Sequence, residues 1–378
     1  MTEPSPNRAC AHLLPAQLPT RPISDNGTIS NNDVIRRPRL LIVQPLVGIG
    51  DMVWHKPWID HLAAEYDIIL ATKPTVQAHH LFAAEIKSSG QNLEILLIER
   101  SMRGRRGRHD GLIGLLRLVA DFKAAKADAA LLLHHSARLG FAIWMSGIAE
   151  RWGYGIGSSR HWLNRGNFLG RDARKVHPTN KMADFATING FAPDPAIWKI
   201  TPTPDAHQRA MASLLAAGMR KDDAFIVMGV GAMDDERQWP TAHFATLIGL
   251  VRTRYPDLHI LLMGAPSEMP LMDAVASGLA DDTRIIISTS PIDEAVALLT
   301  NALLYVGNDT SLLNIAAACN RPAIGLFAQS DPLVYSPNIK AVSVENDQIG
   351  VAGAITKIPP KRVFDAVYKE LSENTSPD

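Results

Sequence analysis

The chain of 378 residues lacks several features that would assign a class at once. Its two cysteines, Cys10 and Cys319, are too few for a disulfide framework and do not have the spacing of a zinc site. A reducing cytoplasm suits such a chain. No run approaches the roughly 18 consecutive apolar residues of a membrane span. The N-terminus has no basic-then-apolar secretory pattern. His55, His79, His80, His134 and His135 show no metal-ligand spacing, so no metal is expected. The arginines at 100, 103, 105, 106 and 108 have no aromatics between them, which argues against nucleic acid. No third glycine follows Gly48 and Gly50 at dinucleotide-fingerprint spacing, and an NAD site is poorly supported.

What is present fits an ordinary globular protein, 46% apolar and 20% charged, long enough for two domains. Net charge is zero but unevenly spread. Residues 1–195 carry 24 Lys/Arg against 17 Asp/Glu, and residues 196–378 carry 14 against 21. Most of the excess lies in 99–182, with 16 against 6. A basic face of that size suits an anionic partner, though a merely solvated surface reads equally well.

Short apolar runs alternate with helical stretches. Strands are expected at 40–43, 68–70, 95–97 and 129–133, with helices from about 51 to 66 and near 75–89, 111–126, 137–148 and 178–190. Residues 1–37, rich in Pro, Asn and Ser, read as a disordered leader. A proline-rich stretch at 193–204 breaks the alternation and reads as a linker. The alternation then resumes, with strands at 224–230, 258–263, 284–287, 303–306 and 323–327. Helices are expected at 205–218, 241–255, 267–280, 291–300 and 310–319, and a last one near 360–372. The pattern predicts two α/β domains with parallel sheets, 38–192 and 205–358, followed by a C-terminal helix and tail over 359–378. Ligands of such sheets bind at the carboxyl edges of the strands, here in the cleft between the two domains.

Five turns at those edges carry chemistry. Gly48-Ile49-Gly50-Asp51 lets the backbone turn tightly and puts a carboxylate at a helix start; a plain helix cap explains Asp51 as well. Arg237 precedes Trp239-Pro240 and suits a phosphate, or else an ion pair with Asp234 or Asp235. Trp239 reads as a packing anchor. Glu268, after Met263-Gly264, suits a ribose diol or a cap. Finally, Asp309-Thr310-Ser311 opens an Ala-rich helix, and Gln329-Ser330-Asp331-Pro332 follows the next apolar run. Two helix N-termini side by side are expected there, a natural diphosphate cradle.

In order and spacing these turns resemble glycosyltransferase family 9, the heptosyltransferases, over about residues 39–372. The resemblance implies a GT-B architecture, two Rossmann-like domains whose parallel sheets face each other across a cleft, with the donor held by the C-terminal domain. It implies inverting, metal-independent transfer of a heptose or similar sugar to a lipopolysaccharide-type or other cell-surface glycan. No cofactor is implied beyond a nucleotide-sugar co-substrate, with an ADP-sugar favoured. Asp51 would be the general base, with Gly48 and Gly50 forming the acceptor-side backbone turn. Arg237, Glu268, Asp309, Thr310, Ser311, Ser330 and Asp331 would bind the donor. The implied partners are that donor, an anionic glycolipid or glycan acceptor and, peripherally, the inner face of the cytoplasmic membrane, with the protein itself cytoplasmic. This chain departs from the family's usual pattern at Ser311, where Gly is common, at Asn314, where His is common, and at Ala328-Gln329, where Gly-Pro is common. A catalytically altered nucleotide-sugar-binding protein and a GT-B epimerase are the alternatives.

Overall fold

A computed structural model describes residues 36–87, 93–101, 106–193, 196–279, 283–329, 331–333 and 335–374. The expected leader, apart from Arg36 and Arg37, lies outside them, as do Ser330, Arg103 and Arg105.

The first half is a five-stranded parallel sheet in the order β3-β2-β1-β4-β5. Its strands are β1 (Arg39–Gln44), β2 (Asp67–Thr72), β3 (Leu93–Leu97), β4 (Ala129–Leu132) and β5 (Glu150–Gly153). Helix α1 (Ile49–Ala63) joins β1 to β2. The short α2 (Ala78–Leu81) and α3 (Ala83–Lys87) follow β2, and α4 (Gly111–Ala124) and α5 (Ala137–Met145) flank β4. Helix α6 (Pro178–Ile188) closes the half. The single helix expected near 75–89 is broken because Pro74 opens a 3-10 turn and Gln77 takes a left-handed φ of 51°. Strand β5 has no apolar run to announce it, since Glu150 and Arg151 occupy half of an edge strand.

The second half is a six-stranded parallel sheet in the order β11-β10-β9-β6-β7-β8. Its strands are β6 (Phe225–Gly229), β7 (His259–Met263), β8 (Ile285–Ser288), β9 (Tyr305–Asn308), β10 (Ala323–Phe327) and β11 (Ile339–Ser343). The helices are α7 (Pro204–Ala216), α8 (Thr241–Arg254), α9 (Met269–Ser277), α10 (Ile292–Asn301), α11 (Ser311–Ala318) and α12 (Pro360–Asn374). Strand β11 was not expected. It is another edge strand, with Ile339 and Val342 buried and Lys340 and Ala341 exposed between them. The expected helix after 329 is absent: the described residues between β10 and β11 are irregular, with Pro332 and Pro337 in the way of a helix. Only one of the two anticipated helix N-termini therefore exists.

The inner strands β1, β2, β4, β6, β7, β9 and β10 are buried apolar runs, as parallel sheets covered on both faces require. One hydrophobic cluster runs through both halves, from Met52, Trp58 and Ile59 on α1 to Leu298 on α10 and Ala316 on α11. Helix α1 packs on α11, and α2 on α10. Between the halves, the Ile200 N–H donates to the Ala318 carbonyl at 2.9 Å, tying the connecting segment to α11. Cys319 is a buried free thiol at the end of that helix.

Candidate active site

The α1/α11 contact brings the two most informative turns of the chain face to face. A Cβ on Gly50 would lie 3.3 Å from the Asn314 side-chain nitrogen and 3.9 Å from the Ser311 Cα. Glycine is what allows the start of α1 to approach the start of α11 this closely. Asp51 stands on the third helical residue beside that contact. Its Oδ2 accepts the Gly48 N–H at 2.9 Å, and its Oδ1 has no hydrogen-bond partner among the described residues. Burial pushes its pKa up, and the Gly48 hydrogen bond partly offsets the rise. The capping reading and the catalytic reading of Asp51 are thus compatible, because one oxygen caps and the other remains available.

Across the contact, Asn314 is a buried polar node. Its Oδ1 accepts from Trp54 Nε1 at 2.8 Å and from the Tyr335 hydroxyl at 2.7 Å, and its Nδ2 donates to the Thr310 carbonyl at 2.9 Å. Trp54 belongs to α1, so this node links the helix of Asp51 to the turn of Asp309-Thr310. Trp198 extends the link, its ring tilted against Tyr335 at 4.8 Å and its Nε1 donating to the Trp54 carbonyl at 3.4 Å. The sequence marks Asn314 only as a departure and gives no sign of these partners, of which Trp54 lies 260 residues from it in the chain.

On the second sheet, Asn308 at the end of β9 fixes the loop after β6. It donates to the carbonyls of Val230 and Gly231 at 3.0 and 3.1 Å and accepts the Trp239 N–H at 3.0 Å. Trp239 is fully buried and its Nε1 donates to the Ile358 carbonyl, so it is the expected packing anchor. That loop presents Arg237, whose side chain is 42% exposed. Its guanidinium lies 3.6 Å from Asp234 and 3.7 Å from Asp309. Both the surface pair and the inward-facing position are therefore real, and the long distances leave donors unsatisfied. Burial pushes the Asp309 pKa up, and Arg237 partly offsets it. Glu268 caps the turn after β7, its Oε2 accepting the Ala265 N–H at 2.7 Å. A Cβ on Gly231 would come within 1.9 Å of its other oxygen, so the Glu268 carboxylate lies against the backbone at the ends of β6 and β7. Asp331 is exposed beyond β10, and Gln329 sits within 3.5 Å of Glu236.

The first half adds a group that the sequence did not single out. Lys181 on α6 is buried, and no described carboxylate pairs with it. Burial lowers its pKa, and its charge adds to burial in holding His55, His134 and His177 each to about 4. His134 and His135 stack at 4.2 Å after β4, and His177 packs edge-on at 4.3 Å from Trp54. Among the described residues no cluster of three or more His, Cys, Asp or Glu could hold a metal ion.

Comparison with known proteins agrees with this layout. The model of glycosyltransferase family 9 (heptosyltransferase) matches residues 115–353, more than half of the chain. Lipooligosaccharide heptosyltransferase 2 of Haemophilus influenzae is 30% identical over 105 residues, which cover 27% of this chain and 30% of that protein. Lipopolysaccharide heptosyltransferase 2 of Salmonella typhimurium is 22% identical over 68% of this chain and 79% of its own length. Among solved structures, a family 9 glycosyl transferase from Veillonella parvula superposes with a TM-score of 0.73 at 16% identity, covering 89% of this chain and 97% of that one. The E. coli ADP-heptose lps heptosyltransferase II follows with 0.69 at 17% identity, covering 89% and 100%. The two sheets facing across a cleft are the GT-B fold of those structures.

Proposed function

We infer the reaction from one premise: this chain belongs to glycosyltransferase family 9, the heptosyltransferase family. We propose that it moves a heptose or similar sugar from an ADP-sugar to a lipopolysaccharide-type glycan, with inversion and without a metal ion. The reading is supported by the ADP-heptose named for the E. coli relative of the same fold. The observation that carries it is the free Oδ1 of Asp51, held by the Gly48 cap beside the start of α11.

In this reading the acceptor hydroxyl enters from the first half, and Asp51 takes its proton as the oxygen attacks the anomeric carbon. The bond from that carbon to the diphosphate breaks, and the electron pair leaves with the diphosphate. Arg237 and the free N–H groups at the start of α11, around Thr310 and Ser311, meet the departing charge as preorganised donors. Asp309 holds Arg237 toward the cleft, the free oxygen of Glu268 accepts from the ribose hydroxyls, and Asp331 borders the donor from beyond β10; a donor contact from Ser330 is part of the same proposal. A single base suits a single displacement, which inverts the anomeric centre. Lys181, buried without a carboxylate partner, takes an anionic group of the acceptor. The site works at the cytoplasmic face of the membrane; among the described residues no helix is long and apolar enough to cross one.

The test joins binding to turnover. ADP should raise the thermal midpoint more than UDP or GDP, and ADP-heptose should be consumed only when a heptose-deficient lipopolysaccharide acceptor is added. Conversion of the donor without acceptor would support an epimerase. Donor binding with no transfer across a range of acceptors would support a catalytically altered binding protein.

A further inference from the structure

We propose that the first two turns of α4 seat the protein on an anionic bilayer surface, an inference that rests on the reading of a lipid-linked acceptor. Helix α4 buries Gly114, Leu115, Leu118 and Phe122 in the core between the sheet and α5. On the other side it leaves Leu112 at 75% exposure, Ile113 at 68% and Leu116 at 53%. Positions 112, 113 and 116 share one helix face, so these side chains form a continuous apolar tip rather than scattered surface residues.

The charges around the tip choose its occupant. Arg106, Arg117 and Lys123 are exposed and have no carboxylate partner among the described residues. Of the three acids near them, Glu99 is exposed and the other two are already engaged. Asp110 accepts the N–H groups of Ser101 and Gly107 at 2.8 and 2.7 Å and lies 3.7 Å from Arg100. Asp121 pairs with Arg108 and with buried His109. An apolar tip ringed by free cations matches lipid headgroups of negative charge, where chains bury the leucines and phosphates meet the cations. A second copy of this chain would bring like charges together at the same face.

The placement suits the reaction. Helix α4 begins where the chain returns from the carboxyl end of β3, the sheet edge at which Asp51 also lies. Arg138 at the start of α5 donates to the carbonyls of His109 and Gly111, which fixes this turn on the fold. A bilayer touching the tip therefore lies along the edge where a lipid-anchored acceptor enters.

The experiment is co-sedimentation of the full chain with vesicles of phosphatidylglycerol and phosphatidylethanolamine, and with vesicles of phosphatidylcholine alone. The wild type should pellet with the anionic vesicles only, and less as salt rises. The variant carrying Leu112→Ser, Ile113→Ser and Leu116→Ser should lose about tenfold or more of that partitioning. Its thermal midpoint and ADP binding should stay unchanged, because the three side chains already face water. A second variant, Arg106→Gln with Arg117→Gln, should weaken binding and flatten its salt dependence. Equal pelleting of the triple variant and the wild type would overturn the proposal, as would equal binding of the wild type to phosphatidylcholine. A wild-type dimer that the triple variant converts to monomer would overturn it in favour of self-association. Absence of transfer to a detergent-dispersed acceptor would instead count against the reading of function, whatever the vesicles show.

Discussion

Asp51 and Glu268 do the same local job in the two halves of the molecule and are left with different chemistry. Each stands three residues after a small residue, Gly48 or Ala265, and accepts that residue's N–H with one oxygen. Each keeps its second oxygen for something else. The difference lies in what faces that oxygen. Asp51 is set in the contact between α1 and α11, where burial raises its affinity for a proton. Glu268 lies against glycine backbone at the ends of β6 and β7. The same capping motif thus leaves a carboxylate with a raised pKa in one half and one set against backbone in the other, and the proposed roles of base and ribose acceptor rest on that difference.

Substitution at the two carboxylates should separate these roles most sharply. Asp51→Asn keeps an oxygen for the Gly48 N–H but cannot take a proton, so turnover should fall by about a thousandfold with ADP affinity unchanged. Equal turnover of this variant and the wild type would end the assignment of the base. Glu268→Gln should instead leave turnover at saturating donor nearly intact and raise the KM for the ADP-sugar. Arg237→Ala comes next in size: loss of charge-assisted bonds to the diphosphate should weaken ADP binding by about tenfold or more, read by calorimetry.

The node that joins the two halves is expected to matter less for chemistry than for its setting. Asn314→Leu would strand the Trp54 indole N–H and the Tyr335 hydroxyl, both facing a buried contact. Unfolding free energy should drop by about 2 kcal/mol in a denaturant titration. Asn314→His, the residue common in the family, keeps an acceptor nitrogen and should recover part of the loss. If Asn314→Leu is as stable as the wild type, the node does not hold the halves together.

The strands and helices of both sheets were legible because buried parallel strands are short β-branched runs and their crossover helices are long. The elements that escaped, β5 and β11, are short edge strands whose apolar signal is diluted by Glu150, Arg151 and Lys340. The helix expected after Gln329 failed for the opposite reason: a convincing turn sequence was followed by prolines. At the site, the residues at strand ends could be read individually from their turns. The Trp54–Asn314–Tyr335 node and the buried Lys181 could not, because their meaning depends on partners that only the packing of α1, α6 and α11 supplies.

The smallest expected effect probes the environment of Asp51 alone. Its pKa is raised in the folded chain by burial, so the folded state holds its proton to higher pH than the unfolded chain does. For an acid shifted in this direction, the contribution to stability is present at low pH and is lost as pH rises from the unfolded value through the raised one. At neutral pH the wild type therefore carries a buried, partly compensated charge, and Asp51→Asn removes it while keeping the cap. The variant should melt slightly above the wild type at pH 7, and the two should converge toward pH 3. The acid limb of kcat/KM in the wild type should fall at a pH above the ordinary carboxylate range, for the same reason. A variant that melts below the wild type at pH 7 would mean that Asp51 is ionised at a net gain, the Gly48 hydrogen bond and the start of α1 then outweighing burial. The proposed role of Asp51 as base and the cost of burying it both trace to the α1/α11 contact, and the melting comparison measures the second without depending on the first.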